Sequence, residues 1–137
     1  MSKGPRRGKL LYLQDNAEHL ALAGAFLAGR RDVALVSAPD LESLIKLARR
    51  ERPEVVLIDA DLTGLAPREL MTKLRAEPLL SNVPILALAA DPAPAVITEN
   101  LEAGVFVYLV KPLQAQPFVE ALAFAMEFAA AERAEQL

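Results

Sequence analysis

The sequence predicts one α/β domain: a five-stranded parallel sheet with helices on both faces. Three observations carry this. Five short aliphatic runs recur, KLLYLQ (9–14), DVALVS (32–37), PEVVLID (53–59), VPILALAA (83–90) and VFVYLVK (105–111). They are nearly continuous in hydrophobicity and do not alternate, as expected of strands buried on both sides. Helical patterns separate them at each step, and right-handed crossovers between parallel strands deposit those helices on the sheet. Finally, 137 residues with 53% apolar and 24% charged side chains suit a single folded core.

The elements follow in order. The first strand runs into Gln14-Asp15-Asn16, and a helix is expected over 16–28, closed near Gly29. After the second strand, Asp40 with Ser43 three residues on offers an N-cap for a helix over 40–50. Pro53 opens the third strand, where a missing N–H does least harm, and Pro67 suits the first turn of a helix over 67–77. Pro84 likewise opens the fourth strand. A helix over 92–103 is expected to close at Gly104, and the last, over 114–134, follows Lys111-Pro112.

Composition excludes several chemistries. There is no cysteine and one histidine, so disulfide scaffolds, thiol catalysis and His- or Cys-rich metal sites are out. The net charge of -3 is uneven: Lys3, Arg6, Arg7 and Lys9 precede any acid, leaving 11 basic against 18 acidic side chains, or -7. An acidic body disfavours direct nucleic-acid binding. Residues 1–8 read as a basic flexible leader, 9–130 as the domain and 131–137 as a helical tail. No apolar run of membrane-spanning length and no export signal is present, so a cytoplasmic, membrane-free protein is expected. On this division no effector domain fits beside the core.

In an open α/β sheet the ligand crevice lies at the carboxyl ends of the strands. Those ends carry Asp15, Asp59 and Lys111. Two carboxylates facing one crevice repel unless a cation neutralises them. A hard divalent ion, most plausibly Mg2+, and a lysine that holds phosphoryl oxygens would suit phosphoryl transfer to an aspartate.

Over residues 8–130 these features resemble the receiver domains of bacterial two-component response regulators. The resemblance rests on Asp15-Asn16 after strand one, VVLIDADLTGL around Asp59, PILALAA in strand four and AGVFVYLVKPL around Lys111. It implies a flavodoxin-like doubly wound sheet of order 2-1-3-4-5. It further implies Asp59 as phosphoacceptor, Lys111 as the phosphoryl-binding lysine, and Asp15, Asp59 and the Asp61 backbone carbonyl as metal ligands. Tyr108 would be the switch aromatic, Lys111-Pro112 a cis peptide, and a histidine kinase or phosphotransfer protein the partner.

The departures matter as much. Gln14 stands where the family has a second acid, which weakens the pull on a divalent cation while leaving a group able to hydrogen-bond a metal-bound water. Ala89 stands where a Thr or Ser hydroxyl contacts the phosphoryl group. A hydrogen bond to a charged group is worth roughly 1.5–3 kcal/mol, and allosteric coupling typically totals about 1–3 kcal/mol. Loss of that hydroxyl therefore removes much of the link to Tyr108. Thr63 replaces the family's proline four positions after the acceptor.

Three functional readings follow. Asp59 accepts phosphate with weakened switching; or the chain is a pseudo-receiver, an interaction module independent of phosphorylation; or Asp59-Ala60-Asp61-Leu62-Thr63 is the D-x-D-x-T motif of a haloacid-dehalogenase-type phosphatase. The last lacks the Ser or Thr after the next strand and the later acidic pair, so an enzyme is not expected. On the fifth helix Phe118, Val119, Leu122 and Met126 form a core stripe. Phe124 and Phe128 fall opposite, an apolar patch for a partner or for a homodimer through helices four and five.

Overall fold

A computed structural model describes residues 8–135. Its five strands are β1 (Gly8–Leu13), β2 (Val33–Ala38), β3 (Val55–Asp59), β4 (Ile85–Ala89) and β5 (Val107–Val110). All pair in parallel, in the order β2-β1-β3-β4-β5, as the resemblance implied. Helices α1 (Ala17–Phe26), α2 (Leu41–Glu51), α3 (Pro67–Arg75), α4 (Pro94–Ala103) and α5 (Ala115–Glu135) fill the crossovers and the end of the chain. Short 3-10 turns at Ala60–Leu62 and Pro78–Leu80 follow β3 and α3.

The two-sided burial explains the unbroken hydrophobic runs. Leu10, Tyr12, Val55 and Leu57 belong to one core with Phe118 and Leu122 of α5. Leu11, Leu13, Val56 and Ile58, one residue out of phase, belong to the other with Leu44 of α2 and Leu70 and Leu74 of α3. A strand with a core on each face has no solvent face to make polar.

Several boundaries move for local reasons. Gly8, assigned to the leader, already pairs with Val33 in β1; residues 1–7 of that leader lie outside the described residues. Helix α1 ends at Phe26 on an αR cap at Leu27, short of Gly29. Helix α4 starts two residues late, because Pro94 and not Pro92 takes the first turn, and it closes on Gly104 at φ 111° as expected. Arg52, at φ 49°, closes α2 in a left-handed conformation where no glycine marked the end. Helix α5 runs unbroken past residue 130 to Glu135, so the domain and tail form one element, and residues 136–137 lie outside the described range.

Among the described residues no helix is long and apolar enough to cross a membrane. The register sets Asp59, last in β3, beside Leu88 of β4, and Ala89 beside Val110 of β5. Three strand ends thus meet at one edge.

Candidate functional site

The edge is organised around Asp59, a carboxylate only 1% exposed at the end of an all-buried strand. Such a group needs partners, because an unpaired buried charge is costly. Lys111 Nζ donates to its Oδ1 at 2.9 Å, and the Asp61 backbone N–H donates to the same oxygen at 3.1 Å. Gln14 Nε2 donates to Oδ2 at 2.9 Å. The Lys111-Pro112 peptide is cis, and the Lys111 N–H bonds the Ala89 carbonyl at 2.8 Å, holding the loop after β5 against the end of β4.

Gln14 is itself 2% exposed. Its second amide hydrogen faces the hydroxyl of Tyr12, 3.1 Å away and 0% exposed, while its Oε1 accepts the N–H groups of Asp15 and Asn16 at 3.2 Å each. That uses two donor and two acceptor positions, the full capacity of a primary amide. The paired acceptor bonds also fix which end of the amide meets Asp59. Burial raises the Tyr12 hydroxyl's pKa above its ordinary value; the Gln14 bond opposes this and the Asp59 charge adds to it.

On the other side, Asp61 Oδ2 lies 3.0 Å from Lys111 Nζ and accepts the Ala90 N–H at 3.0 Å. Lys111 is thus shared between two carboxylates. Burial alone would lower its pKa, but the bonds and charges of Asp59 and Asp61 outweigh that and raise it above an ordinary lysine. The Tyr108 hydroxyl donates to the Asp91 carbonyl at 2.7 Å, and burial, with the charges of Asp91 and Asp61, raises its pKa.

Sequence reasoning therefore assembled Asp59, Lys111 and Gln14, which meet, and it placed Ala89 beside them. Asp15 is exposed at the rim. What it missed was the contact of the Asp61 side chain with Lys111 and Ala90, Asp61 being expected as a carbonyl ligand in the receiver reading and as part of the D-x-D-x-T motif in the phosphatase reading, and Tyr12, which precedes Gln14 by one strand period. On α5, Phe124 is 58% and Phe128 40% exposed, and both rings rest on Phe106, with centroids 5.0 and 5.1 Å away. Phe118 and Leu122 are fully buried, while Val119 and Met126 are half-buried.

As arranged, the donor set is closed to a divalent cation until one of the N–H donors on Asp59 gives way. A hard cation needs converging oxygens; here both Asp59 oxygens already hold N–H donors, Gln14 offers Asp59 a nitrogen, and the Asp61 carboxylate is turned to Lys111 and Ala90. No group of three or more acidic or histidine side chains among the described residues is arranged to hold a metal.

Residues 10–123 match the family model described as the response regulator receiver domain. The chain is 34% identical over 85 residues to a probable transcriptional regulatory protein, TcrX, of Mycobacterium tuberculosis, covering 62% of this chain and 36% of that one. It is 29% identical over 116 residues to a CheY homolog, a chemotaxis protein of Campylobacter jejuni, covering 83% of this chain and 88% of that one. The chain spans between about a third and a half of the length of the transcriptional regulators it matches. Among solved structures, the signal receiver domain of a Luxo repressor protein from Vibrio parahaemolyticus superposes with a TM-score of 0.83 at 14% identity, covering 96% of this chain and 98% of that one. A sensor histidine kinase's receiver domain from Pseudomonas aeruginosa, with magnesium coordinated in its active-site cleft, superposes at 0.73 with 24% identity over 88% of this chain and 98% of that one.

Proposed function

The chain belongs to the response regulator receiver domains of two-component signalling, and from that premise we propose that Asp59 is its phosphoacceptor. The observation that carries the reading is the Asp59–Lys111 pair: a buried carboxylate at a strand end, 2.9 Å from an ammonium. In the transfer, an Asp59 oxygen forms the new bond to phosphorus while the donor's bond to phosphorus breaks, its electron pair leaving with the donor. Lys111 offsets charge on the phosphoryl oxygens throughout.

The donor is a histidine kinase or phosphotransfer protein, and the setting is the cytoplasm. Magnesium enters only at a cost. Asp15, Asp59 and the Asp61 carbonyl are its ligands in this reading, and Gln14, expected to act through water, is spent on Asp59, Tyr12 and the backbone. Switching is weak, because Ala89 carries no hydroxyl to link the acceptor to Tyr108, whose own hydroxyl is held by the Asp91 carbonyl. The phosphatase reading is disfavoured by Asp61, whose carboxylate accepts from Lys111 and Ala90 where a general acid would have to donate.

Incubation with a small phosphodonor, with magnesium and with chelator, tests this by intact mass. One phosphoryl increment, absent from Asp59→Asn, is expected. No increment at saturating magnesium overturns the reading and leaves the pseudo-receiver, an interaction module independent of phosphate. In either case the contact surface is the Phe106-Phe124-Phe128 cluster, used for a partner or for a homodimer through α4 and α5. If the wild type is a dimer by light scattering, Phe124→Ser/Phe128→Ser should halve its mass; an unchanged dimer removes that surface from consideration.

A further inference from the structure

We infer that the Asp61 carboxylate is a resident anion: it fills an oxyanion seat formed by Lys111 Nζ and the Ala90 N–H beside Asp59, and an incoming phosphoryl group must displace it. The inference rests on the reading of Asp59 as phosphoacceptor. One oxygen, Asp61 Oδ2, lies 3.0 Å from the Lys111 ammonium and 3.0 Å from the Ala90 nitrogen. A cation from the loop after β5 and a backbone donor at the end of β4 thus converge on a single point. That geometry stabilises any oxyanion placed there, whether it belongs to the chain or not. The same Lys111 Nζ lies 2.9 Å from Asp59 Oδ1, so the seat adjoins the acceptor.

Two further observations make the occupant exchangeable. The Asp61 side chain is 45% exposed against 2% for that of Asp59, so it can rotate into water while Asp59 cannot. Its own backbone N–H stays bonded to Asp59 Oδ1 at 3.1 Å, so the rotation leaves the chain in place.

The seat also touches the output path. Ala90 precedes Asp91, whose carbonyl holds the Tyr108 hydroxyl at 2.7 Å. With Asp61 seated, the end of β4 already carries an anionic contact before any phosphate arrives. Exchanging one oxyanion for another on the same two donors changes little at that loop, a second cause of weak switching besides the missing hydroxyl at Ala89.

Titration with inorganic phosphate, followed at the Ala90 amide by 1H–15N NMR, tests the seat in wild type, Asp61→Ala and Asp61→Asn. Removing the resident carboxylate should lower the half-saturating phosphate concentration by up to about fivefold, the scale of one lost competing ion pair at a half-exposed site. The isosteric Asp61→Asn, which keeps an acceptor oxygen but not the charge, should fall between, and it serves if the alanine variant does not fold. Equal half-saturation in all variants, or shifts confined to residues remote from Lys111, overturns the inference. The two readings separate cleanly. If Asp61→Ala binds phosphate more tightly but no adduct forms on Asp59 with a phosphodonor, the acceptor reading fails and the seat stands; an adduct with unchanged phosphate affinity is the reverse.

Discussion

The two oxygens of Asp59 meet neighbourhoods of opposite character. Oδ2 faces Gln14 and, behind it, Tyr12, all of them almost wholly excluded from water, with the Gln14 amide fully hydrogen-bonded within the chain. Oδ1 faces Lys111, 26% exposed, and beyond it Asp61, 45% exposed and free to exchange its partners with solvent. Both sides stabilise the same carboxylate. The first does so with a neutral amide that has no alternative state, because leaving Asp59 would orphan several buried groups at once. The second does so with mobile charges whose loss water compensates. The difference teaches where this receiver is built to hold still and where it is built to exchange.

The largest expected effect breaks the Gln14 side. Gln14→Ala strips a donor from Asp59 Oδ2 and from the Tyr12 hydroxyl, and an unsatisfied buried group costs about 1–3 kcal/mol. A clear fall in the urea midpoint at unchanged slope is the expected result. Asp61→Asn breaks the other side, where an exposed ion pair is worth at most about 1 kcal/mol, so its midpoint should scarcely move. The reverse ranking would contradict the division into a fixed and an exchangeable half.

How much of this was legible in the sequence depends on whether the information is local. The parallel strands followed from unbroken aliphatic runs alternating with helical patterns, since both faces of every central strand had to be covered; their order came only with the family resemblance. Asp59 and Lys111 were legible because each ends such a run, and strand ends in a parallel sheet share an edge. Gln14 was visible as a departure, but its role was not: only the bonds from Asp15 and Asn16 to Oε1 turn the amide nitrogen toward Asp59. The Asp61 contact to Ala90 spans 29 residues and depends on the register that sets Asp59 beside Leu88. Nothing in the residues near Asp61 encodes it. The Arg52 cap was illegible for a different reason, since a left-handed residue without glycine carries no compositional mark.

The most direct test compares 1H–15N spectra, backbone and side-chain amides together, before and after treatment with a small phosphodonor. The account predicts that the adduct on Asp59 moves the Ala90 and Lys111 amides furthest, where the resident carboxylate is displaced, and moves the Gln14 side-chain amide pair, which stays bonded to Asp59, less. An adduct that shifts the Gln14 amide while Ala90 stays silent would contradict it.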